Sequence, residues 1–277
     1  MALVVTLLMA ASIQAVVHLD SGPKILTVDI ETQRAIVETF SLWSTFTHID
    51  RVIKPSRILC FAAQWRGDER VLFHMAWDDD DDDAYDRMIN AAWKLLNEAD
   101  IVVTYNGDRF DLQWFNAEFE RLRLGPPSPY KSLDLVKVTK KQFKQGLLSM
   151  KLDWSARIFL GDRKTPHGGT DLWHDIRYGV RAERRAAQKV MREYCEHDTV
   201  LTGRLLERWL PWSNINMGIY HDDGLPHCSK CGRTDMHRDG FHYTGAGKFQ
   251  QYQCNDKSCR GWSKGSKRLA TTELRSA

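Results

Sequence analysis

Two carboxylates that follow a short apolar run are the first residues in this chain with the spacing for metal chemistry. Asp29 and Glu31 alternate with Leu26, Val28 and Ile30, and alternation along a strand would place both carboxylates on one face and the apolar side chains on the other. Neighbouring ionised carboxylates repel, and a divalent cation with hard oxygen ligands relieves that repulsion. The pair is therefore half of a candidate metal site, whereas the alternative for an Asp-x-Glu at a strand end is solvated surface.

Two later segments supply further acidic groups in similar contexts. Asp111 stands at the start of a predicted helix, directly after a predicted strand that ends at Tyr105. Tyr194 and Asp198 are four residues apart on a long predicted helix, so they share one helical face. A phenol and a carboxylate paired in this way present a hydroxyl and a metal ligand to the same small volume.

Four cysteines form a separate constellation near the C-terminus. They occur as Cys228-x-x-Cys231 and Cys254-x-x-x-x-Cys259, a spacing typical of a zinc ribbon in which thiolates close a tetrahedral site. Because the second pair has four intervening residues rather than the commoner two, a histidine is an alternative ligand, although four thiolates are favoured. The candidate histidines are His227, His237 and His242. Thiolates kept for a metal indicate a reducing, intracellular setting.

The order of elements along the chain predicts an α/β fold. Strand-forming runs at Lys24–Thr32, Ile36–Trp43, Ser56–Trp65 and Val71–Met75 come before the first helix, Ala84–Glu98. A strand at 100–105, a helix at 109–123, two short helices at 134–143 and 152–160, and a long helix at 182–209 then follow. This order predicts a sheet that is partly parallel, with helices on its faces. The six consecutive aspartates at 78–83 are predicted to form a solvated loop, with Asp83 as a candidate cap of the helix that follows.

Positive charge is concentrated in the last quarter of the chain. Residues 221–277 carry a net charge of +4, whereas residues 1–220 carry −1, which indicates an anionic partner for the C-terminal part. We expect contacts to a nucleic-acid backbone from Lys264 and Lys267 there, and from Lys140 and Lys141 in a basic stretch of the middle of the chain. A solvated helix face is the alternative for that middle stretch, and a structural cap or a protein-docking surface is the alternative for the C-terminal module. Asn106 either closes a turn or touches the substrate.

The ordered set of Asp29-x-Glu31, Asn106-x-x-x-Phe110-Asp111 and Tyr194-x-x-x-Asp198 resembles the DEDD family of 3′–5′ exonucleases, which have a ribonuclease H-like fold. The resemblance extends from about Lys24 to Trp209 and is to the branch that has Tyr in its third motif. It implies that Asp29, Glu31, Asp111 and Asp198 hold two Mg²⁺ or Mn²⁺ ions. It also implies that Tyr194 orients or helps to deprotonate the attacking water, and that 5′-mononucleotides are released.

These features divide the chain into five parts. Residues 1–23 are an N-terminal extension, 24–212 a ribonuclease H-like exonuclease domain of mixed sheet and flanking helices, 213–223 a linker, 224–268 a zinc ribbon and 269–277 a tail. The apolar start of the extension has no preceding basic residue and is too short to span a bilayer. The expected cofactors are two Mg²⁺ or Mn²⁺ ions and one structural Zn²⁺.

The expected activity is metal-dependent 3′–5′ exonuclease action, with DNA as the favoured substrate. An exoribonuclease of the same fold is one alternative, since the same site can cleave either backbone. A non-catalytic adaptor that binds nucleic acid or a polymerase is another. The expected partners are single-stranded DNA 3′ ends and a replication polymerase, with no membrane. By analogy, the expected location is the cytoplasm of a bacterium or of a phage-infected cell.

Overall fold

The described part of the chain comprises residues 22–41, 43, 46–165 and 171–274 of a computed structural model. The predicted N-terminal extension lies outside these residues except for Gly22 and Pro23. Among the helices of the described ranges, none has the length and apolar character needed to cross a membrane.

A five-stranded mixed sheet forms the centre of the larger part of the molecule. Its strands are β1 (Ile25–Gln33), β4 (Arg57–Trp65), β5 (Leu72–Met75), β6 (Ile101–Thr104) and β7 (Lys131–Asp134), in the spatial order β5-β4-β1-β6-β7. β4 is antiparallel to β1 and to β5, whereas β6 is parallel to β1 and β7 is parallel to β6. The sheet is therefore antiparallel on one side of β1 and parallel on the other.

Helices cover both faces of this sheet. They are α1 (Asp82–Glu98), α2 (Asp111–Arg121), α3 (Leu135–Gln142), α4 (Leu152–Leu160), α5 (Asp171–Tyr178) and α6 (Arg181–Trp209). The alternation along β1 decides which face each helix meets: Leu26, Val28 and Ile30 are buried against α1 and α2. The opposite face of the sheet packs against α6, whose Leu201 and Leu205 join a second core cluster.

Side-chain contacts fix the position of α6 across the sheet. The hydroxyl of Thr199 donates to the Ala62 carbonyl at 3.3 Å, and the thiol of Cys195 approaches the Asp29 carbonyl at 3.7 Å. The face of α6 that carries Tyr194 and Asp198 is buried. This helix therefore brings Tyr194 and Asp198 against the β1 face on which Asp29 and Glu31 lie.

Several predicted elements differ from the structure. The predicted strand at Ile36–Trp43 is limited to β2 (Ile36–Val37), which pairs with β3 (Val52–Lys54) in a separate hairpin. Sequence reasoning missed β7 and α5, both of which are short and follow loops. Within the aspartate run, the cap of α1 is Asp81 rather than Asp83, since Asp81 accepts from the Ala84 amide at 2.9 Å. Asp79 forms an ion pair with Arg177 in which each side chain is 10% exposed.

The C-terminal part is a three-stranded antiparallel sheet. It consists of β8 (Met236–Thr244), β9 (Gly247–Cys254) and β10 (Trp262–Ala270), with β9 in the middle. The turn at 228–231 lies against the segment that follows α6: the Met217 amide donates to the Ser229 carbonyl at 2.9 Å, and Lys230 Nζ donates to the Ser213 carbonyl at 2.6 Å. The predicted fold class, a mixed sheet flanked by helices with a cysteine cluster near the C-terminus, is confirmed.

Candidate active site

Carboxylates from two distant parts of the chain meet between β1 and α6. One oxygen each from Asp29, Glu31 and Asp198 lies within 4.8 Å of the others. Asp198 is 1% exposed, whereas Asp29 and Glu31 are half-buried at the edge of the cluster. Three acidic groups at this separation repel one another when ionised, and a shared cation would relieve that repulsion.

Asp111 lies beside this cluster and is held by the backbone of β1. Its Oδ1 accepts from the Ile30 amide at 3.0 Å. Ile30 lies beyond the residues of β1 that pair with β6. A sharp turn delivers Asp111 to this position, with Asn106 in the left-handed conformation (φ 72°) followed by Gly107. A Cβ on Gly107 would lie 2.4 Å from Thr104 Cβ, so only glycine fits between the strand and this turn.

Burial shifts the protonation of the whole acidic cluster. It raises the pKa of Glu31 to about 8 and that of Asp111 to about 7. For Asp29, burial and then the charges of Asp111, Asp198 and Glu31 raise the pKa well above its ordinary range. Desolvation disfavours the charged form of each carboxyl, and like charges add to the effect. A bound cation would reverse this tendency, since it stabilises the ionised carboxylates.

A lysine that sequence reasoning missed lies among these carboxylates. Lys164 forms an ion pair with Asp198, and its Nζ donates to the Tyr194 hydroxyl at 2.7 Å. Burial is the largest single influence on Lys164 and lowers its pKa, but the charges and hydrogen bonds of Asp198 and Tyr194 together outweigh burial, so the pKa is raised above its ordinary value. The loop that carries Lys164 is anchored, because the Lys164 amide donates to Asp153 Oδ1 at 3.0 Å and Thr165 bonds His197.

Tyr194 lies one helical turn before Asp198, with its ring under the Lys164 ammonium at 4.7 Å. Burial and the Asp198 charge raise the pKa of Tyr194. The phenol is therefore neutral near pH 7 and can take part in hydrogen bonds as a hydroxyl group. This position, beside Asp198 and within the field of Glu31, brings together the hydroxyl and the carboxylates that the sequence predicted to act together.

The donor set fits a hard divalent cation. All the ligand atoms are carboxylate oxygens, which Mg²⁺ and Mn²⁺ prefer. Asp198 Oδ1 is buried without a hydrogen-bond partner among the described residues, and such an atom is costly unless something binds it. Asp29, Glu31 and Asp198 meet the distance criterion for a shared ion, and Asp111 lies next to them.

A cavity of about 470 Å³ opens onto Asp29. Asn106 and Lys140, both predicted to bind substrate, line it together with Lys164. Lys141 instead lines a neighbouring cavity of about 600 Å³, which shares Lys140 with the first. The other two predicted substrate contacts, Lys264 and Lys267, lie on β10 of the C-terminal sheet. The structure thus gathers Asn106 and Lys140 at the acidic cluster and distributes the remaining three elsewhere.

The four cysteines converge as the spacing predicted. The Sγ atoms of Cys228 and Cys259 are 3.9 Å apart, those of Cys231 and Cys254 are 3.7 Å apart, and all four lie within 4.8 Å of one another. These are the edges of a tetrahedron whose centre is about 2.3 Å from each sulfur, the Zn–S bond length. The thiols fit a Zn²⁺ ion and are unbridged.

Two of the histidines considered as alternative ligands make other contacts. His227 bonds Asp223 and the Gly232 carbonyl, and His237 bonds Asn255. His242 pairs with Phe249, whereas Cys254 pairs with Met236 near the other end of β8. His242 is therefore separated from the thiols along the strand. The cluster of potential ligands at this end of the described chain consists of the four cysteines.

Comparison with known families agrees with this architecture. A profile described as RNase_H superfamily matches residues 53–210, more than half of the chain. The chain belongs to the RNase H superfamily. The matched segment includes Asp111, Tyr194 and Asp198 and begins after β1, so Asp29 and Glu31 lie outside it. No curated protein matches the chain at a significant level.

Among solved structures, this RNase H superfamily chain is similar to a family B DNA polymerase from the hyperthermophilic archaeon Pyrobaculum calidifontis. The sequence identity is 16% and the TM-score 0.49. The alignment covers 83% of this chain and 33% of the polymerase chain, so our chain spans about one third of that polymerase's length.

Sequence reasoning missed Lys164 for a physical reason. It lies in a loop, between helices, where no periodicity marks which side chains point inward. The only signal in the sequence is a local cluster of Arg163 and Lys164 after Gly161, and such a cluster is equally typical of a solvated turn. The tertiary contact between this loop and α6 makes the ammonium part of the site.

Proposed function

We propose that this chain is a metal-dependent 3′–5′ exonuclease that removes mononucleotides from single-stranded DNA. The observation that carries the proposal is the meeting of Asp29, Glu31 and Asp198 oxygens within 4.8 Å, in an RNase H superfamily fold. Tyr194 and Asp111 complete the set that the motif order indicated. Metal-dependent hydrolysis of a phosphodiester needs anionic ligands that hold the cations, and this cluster supplies them beside an open cavity.

The four carboxylates would hold two divalent ions, Mg²⁺ or Mn²⁺. When bound, such a pair supplies Lewis-acid activation of water and stabilises the charge that develops on the leaving 3′ oxygen. Asp29, Glu31 and Asp198 are the ligands that converge most closely, and Asp111 would act from the start of α2. The Ile30 amide keeps the Asp111 carboxylate aimed at β1 before any ion arrives.

Tyr194 and Glu31 would manage the attacking water. Because the pKa of the Tyr194 phenol is raised by burial, the phenol keeps its proton near pH 7, and we assign it an orienting rather than a basic role. Glu31 faces the same volume and can accept a hydrogen bond from that water. Once cations neutralise the carboxylates, the Lys164 ammonium would leave Asp198 and pair with the scissile phosphate.

The cavity next to Asp29 would receive the terminal nucleotide. Its wall includes Tyr105, whose hydroxyl is fixed by the Met150 carbonyl at 2.9 Å and by Ser155 at 2.8 Å. Asn106 presents an amide from a turn that its left-handed backbone fixes, and Lys140 supplies positive charge for the preceding phosphate. The cavity of about 470 Å³ is within the range of small-molecule sites and therefore has room for one nucleotide.

The first test is digestion of matched single-stranded DNA and RNA that carry a 5′ label. After metal removal, the protein is supplied with Zn²⁺ alone, or with Zn²⁺ and either Mg²⁺ or Mn²⁺, so that the cysteine site stays filled in every arm. We expect a ladder that shortens from the 3′ end only when Mg²⁺ or Mn²⁺ is present, and faster shortening of DNA than of RNA. A circular single strand should remain intact, because an exonuclease needs an end.

Matched variants separate the site from the rest of the helix. Asp198→Asn removes a proposed ligand and should reduce the rate by at least 10³-fold. Glu193→Gln makes the same chemical change at an exposed position of α6 and should leave the rate unchanged. RNA cut faster than DNA would favour the exoribonuclease, cleavage of the circle would indicate an endonuclease, and binding of both strands without turnover would indicate a non-catalytic adaptor.

A further inference from the structure

One face of the C-terminal sheet carries a row of aromatic and basic side chains. The register between β8 and β9 pairs Arg238 with Tyr252, Phe241 with Gln250, and Tyr243 with Lys248. Directly paired residues of antiparallel strands project from the same face. We call this the aromatic face: Arg238, Phe241, Tyr243, Lys248 and Tyr252.

The aromatic rings are presented to solvent with a cation among them. Phe241 is 42% exposed and Tyr243 is 67% exposed, although both are large apolar groups. Lys248 Nζ lies 3.7 Å from the ring centroid of Phe241 and 5.8 Å from that of Tyr243. Alternate residues of a strand are about 7 Å apart, so Phe241 and Tyr243 lie at that spacing on β8, beyond an irregularity of the strand between Arg238 and Phe241.

The positive net charge of the C-terminal sheet indicates a polyanionic partner. Residues 236–270 contain seven lysines and arginines but only two aspartates and no glutamate. A partner that is anionic at each repeat and exposes flat apolar rings matches both features. Single-stranded nucleic acid has this chemistry, because its phosphates meet the cations and its bases stack on aromatic side chains.

The aromatic face is on the side of the sheet that contacts the catalytic part. Ser263 is paired with Tyr252 and so shares its face. The Ser263 hydroxyl accepts from the Ser229 amide at 3.0 Å, and the Ser229 carbonyl in turn accepts from the Met217 amide at 2.9 Å. The turn at 228–231 therefore lies between the aromatic face and the segment after α6.

The basic stretch near the acidic cluster contacts the same segment as this turn. Lys140 lines both the cavity at Asp29 and the adjacent cavity, which Lys141 and Lys144 also line. The end of α3 and the turn at 228–231 contact the same segment after α6: Gln142 Nε2 donates to the Trp212 carbonyl at 3.1 Å, and Lys230 Nζ donates to the Ser213 carbonyl at 2.6 Å. Basic side chains therefore lie both at the proposed catalytic cavity and in the turn at the edge of the C-terminal sheet.

We propose that a single nucleic-acid strand whose 3′ end lies at Asp29 continues past Lys140 and Lys141 and stacks its upstream bases on the aromatic face. This inference rests on the proposed function and adds a second binding region to it. It favours Tyr243 and Lys248 over Lys264, which pairs with Gln251 and lies on the opposite face, where its Nζ is 4.6 Å from Phe249.

The test measures binding and turnover as strand length increases, with the full chain loaded with Zn²⁺ at 150 mM salt. Binding is measured by fluorescence anisotropy with Ca²⁺ in place of Mg²⁺, on oligo(dT) and oligo(U) of 3 to 25 nucleotides. The variants are Tyr243→Ala and Lys248→Glu. Their matched controls are Trp262→Ala, whose side chain shares a face with Gln253, and Lys257→Glu in an exposed turn.

We expect the affinity of the unaltered protein to rise by a step once strands reach the aromatic face. Tyr243→Ala should weaken binding of 25-mers about tenfold, the effect of one lost stacked base. Lys248→Glu should weaken it by a similar factor, because the substitution reverses a charge that faces the phosphates. Both should leave the kcat/KM for trinucleotides unchanged. The controls should remain within threefold of the unaltered protein at every length, and zinc content should stay at one ion per chain in all four.

Three results would overturn this inference. They are an affinity that does not depend on length beyond the catalytic cavity, equal losses in variants and controls, or a loss in Trp262→Ala without one in Tyr243→Ala. The proposed activity can fail separately. If long strands bind with the expected dependence on Tyr243 but neither they nor trinucleotides are hydrolysed, the aromatic face is supported and the exonuclease activity is not.

Discussion

Lys164 Nζ donates a 2.7 Å hydrogen bond to the hydroxyl of Tyr194, while the same ammonium pairs with the carboxylate of Asp198. The lysine thereby neutralises part of the acidic cluster in a chain without bound ions. Its side chain is 27% exposed, whereas that of Asp198 is 1% exposed, so the ammonium can withdraw toward solvent more readily than the carboxylate. Lys164 is thus placed to compensate the cluster when cations are absent and to yield when they bind.

We predict that Lys164→Met destabilises the Mg²⁺-free protein by about 1–3 kcal/mol, less than the cost of breaking a fully buried pair because the lysine is partly exposed. Saturating Mg²⁺ should remove most of this difference, since the ions then neutralise Asp198. Thermal unfolding of both proteins with and without Mg²⁺, each with Zn²⁺ bound, measures the effect. Lys151→Met, at an exposed lysine of the cavity wall, is the control. An equal loss with and without Mg²⁺ would show that Lys164 is structural.

We predict that the Mg²⁺-free protein loses stability as the pH rises from about 5 to 8.5. Burial raises the pKa of Glu31 to about 8 and that of Asp111 to about 7. A carboxyl whose pKa is higher in the folded state binds more protons there, so its contribution is present at low pH and is lost as the pH passes the folded value. Because protons and cations compete for the same oxygens, Mg²⁺ should raise the Tm more at pH 8 than at pH 5.5.

Glu31→Gln supplies the control for this pH dependence. The variant cannot ionise at position 31, so the decline of Tm with pH should become shallower in the Mg²⁺-free protein. Calorimetry at constant ionic strength and fixed Zn²⁺ would compare the two slopes. A Tm that increases over this range, or a Mg²⁺ effect of the same size at both pH values, contradicts the shared acidic cation site.

We predict that Tyr194→Phe lowers kcat by about 10–100-fold while leaving the KM within threefold, because the hydroxyl orients water and does not hold the strand. The ring would remain packed beside Asp198, so the fold should be retained. Steady-state digestion of an oligonucleotide with Mg²⁺ measures both constants, and Tyr178→Phe at an exposed position of α5 is the comparison. A raised KM at unchanged kcat would assign Tyr194 to substrate binding instead.

The sequence predicted the elements whose patterns are long and regular. The helix predicted at 152–160 matches α4, and the predicted long helix begins one residue from the observed start of α6. Alternation along β1 correctly placed Asp29 and Glu31 on one face. Such elements are predictable because their burial repeats with a fixed period over several turns or residues.

The elements that were missed depend on tertiary contacts. β7 is four residues long and is a strand because it pairs in parallel with β6. The apolar stretch that begins at Ile36 resembles a strand, yet most of it leaves the β2 pairing, and its Phe40 is 93% exposed. Likewise, Asp79 could not be distinguished from its five acidic neighbours until Arg177 of α5 was located beside it. A local pattern does not contain these partners.

The cysteine cluster gives a prediction that is independent of catalysis. Four sulfurs at 3.7–3.9 Å across each close pair fit one Zn²⁺, and the sheet of β8, β9 and β10 has few other buried apolar groups: its core cluster consists of cysteines with Met236 beside them. A small module with so little apolar burial depends on its metal to fold. Cys254→Ser should therefore reduce bound zinc from one ion per chain to near zero.

Hydrogen exchange would show where the structure is lost. In Cys254→Ser, amides of β8 to β10 should exchange at least 10²-fold faster, whereas those of β1 and α6 should keep their protection, because their core clusters contain no residues of β8 to β10. Cys60→Ala is the matched control, since Cys60 is a buried thiol of the catalytic part, and it should retain the zinc. Full zinc content in Cys254→Ser would contradict the four-thiolate site, and loss of protection throughout the chain would show that both parts unfold as one unit.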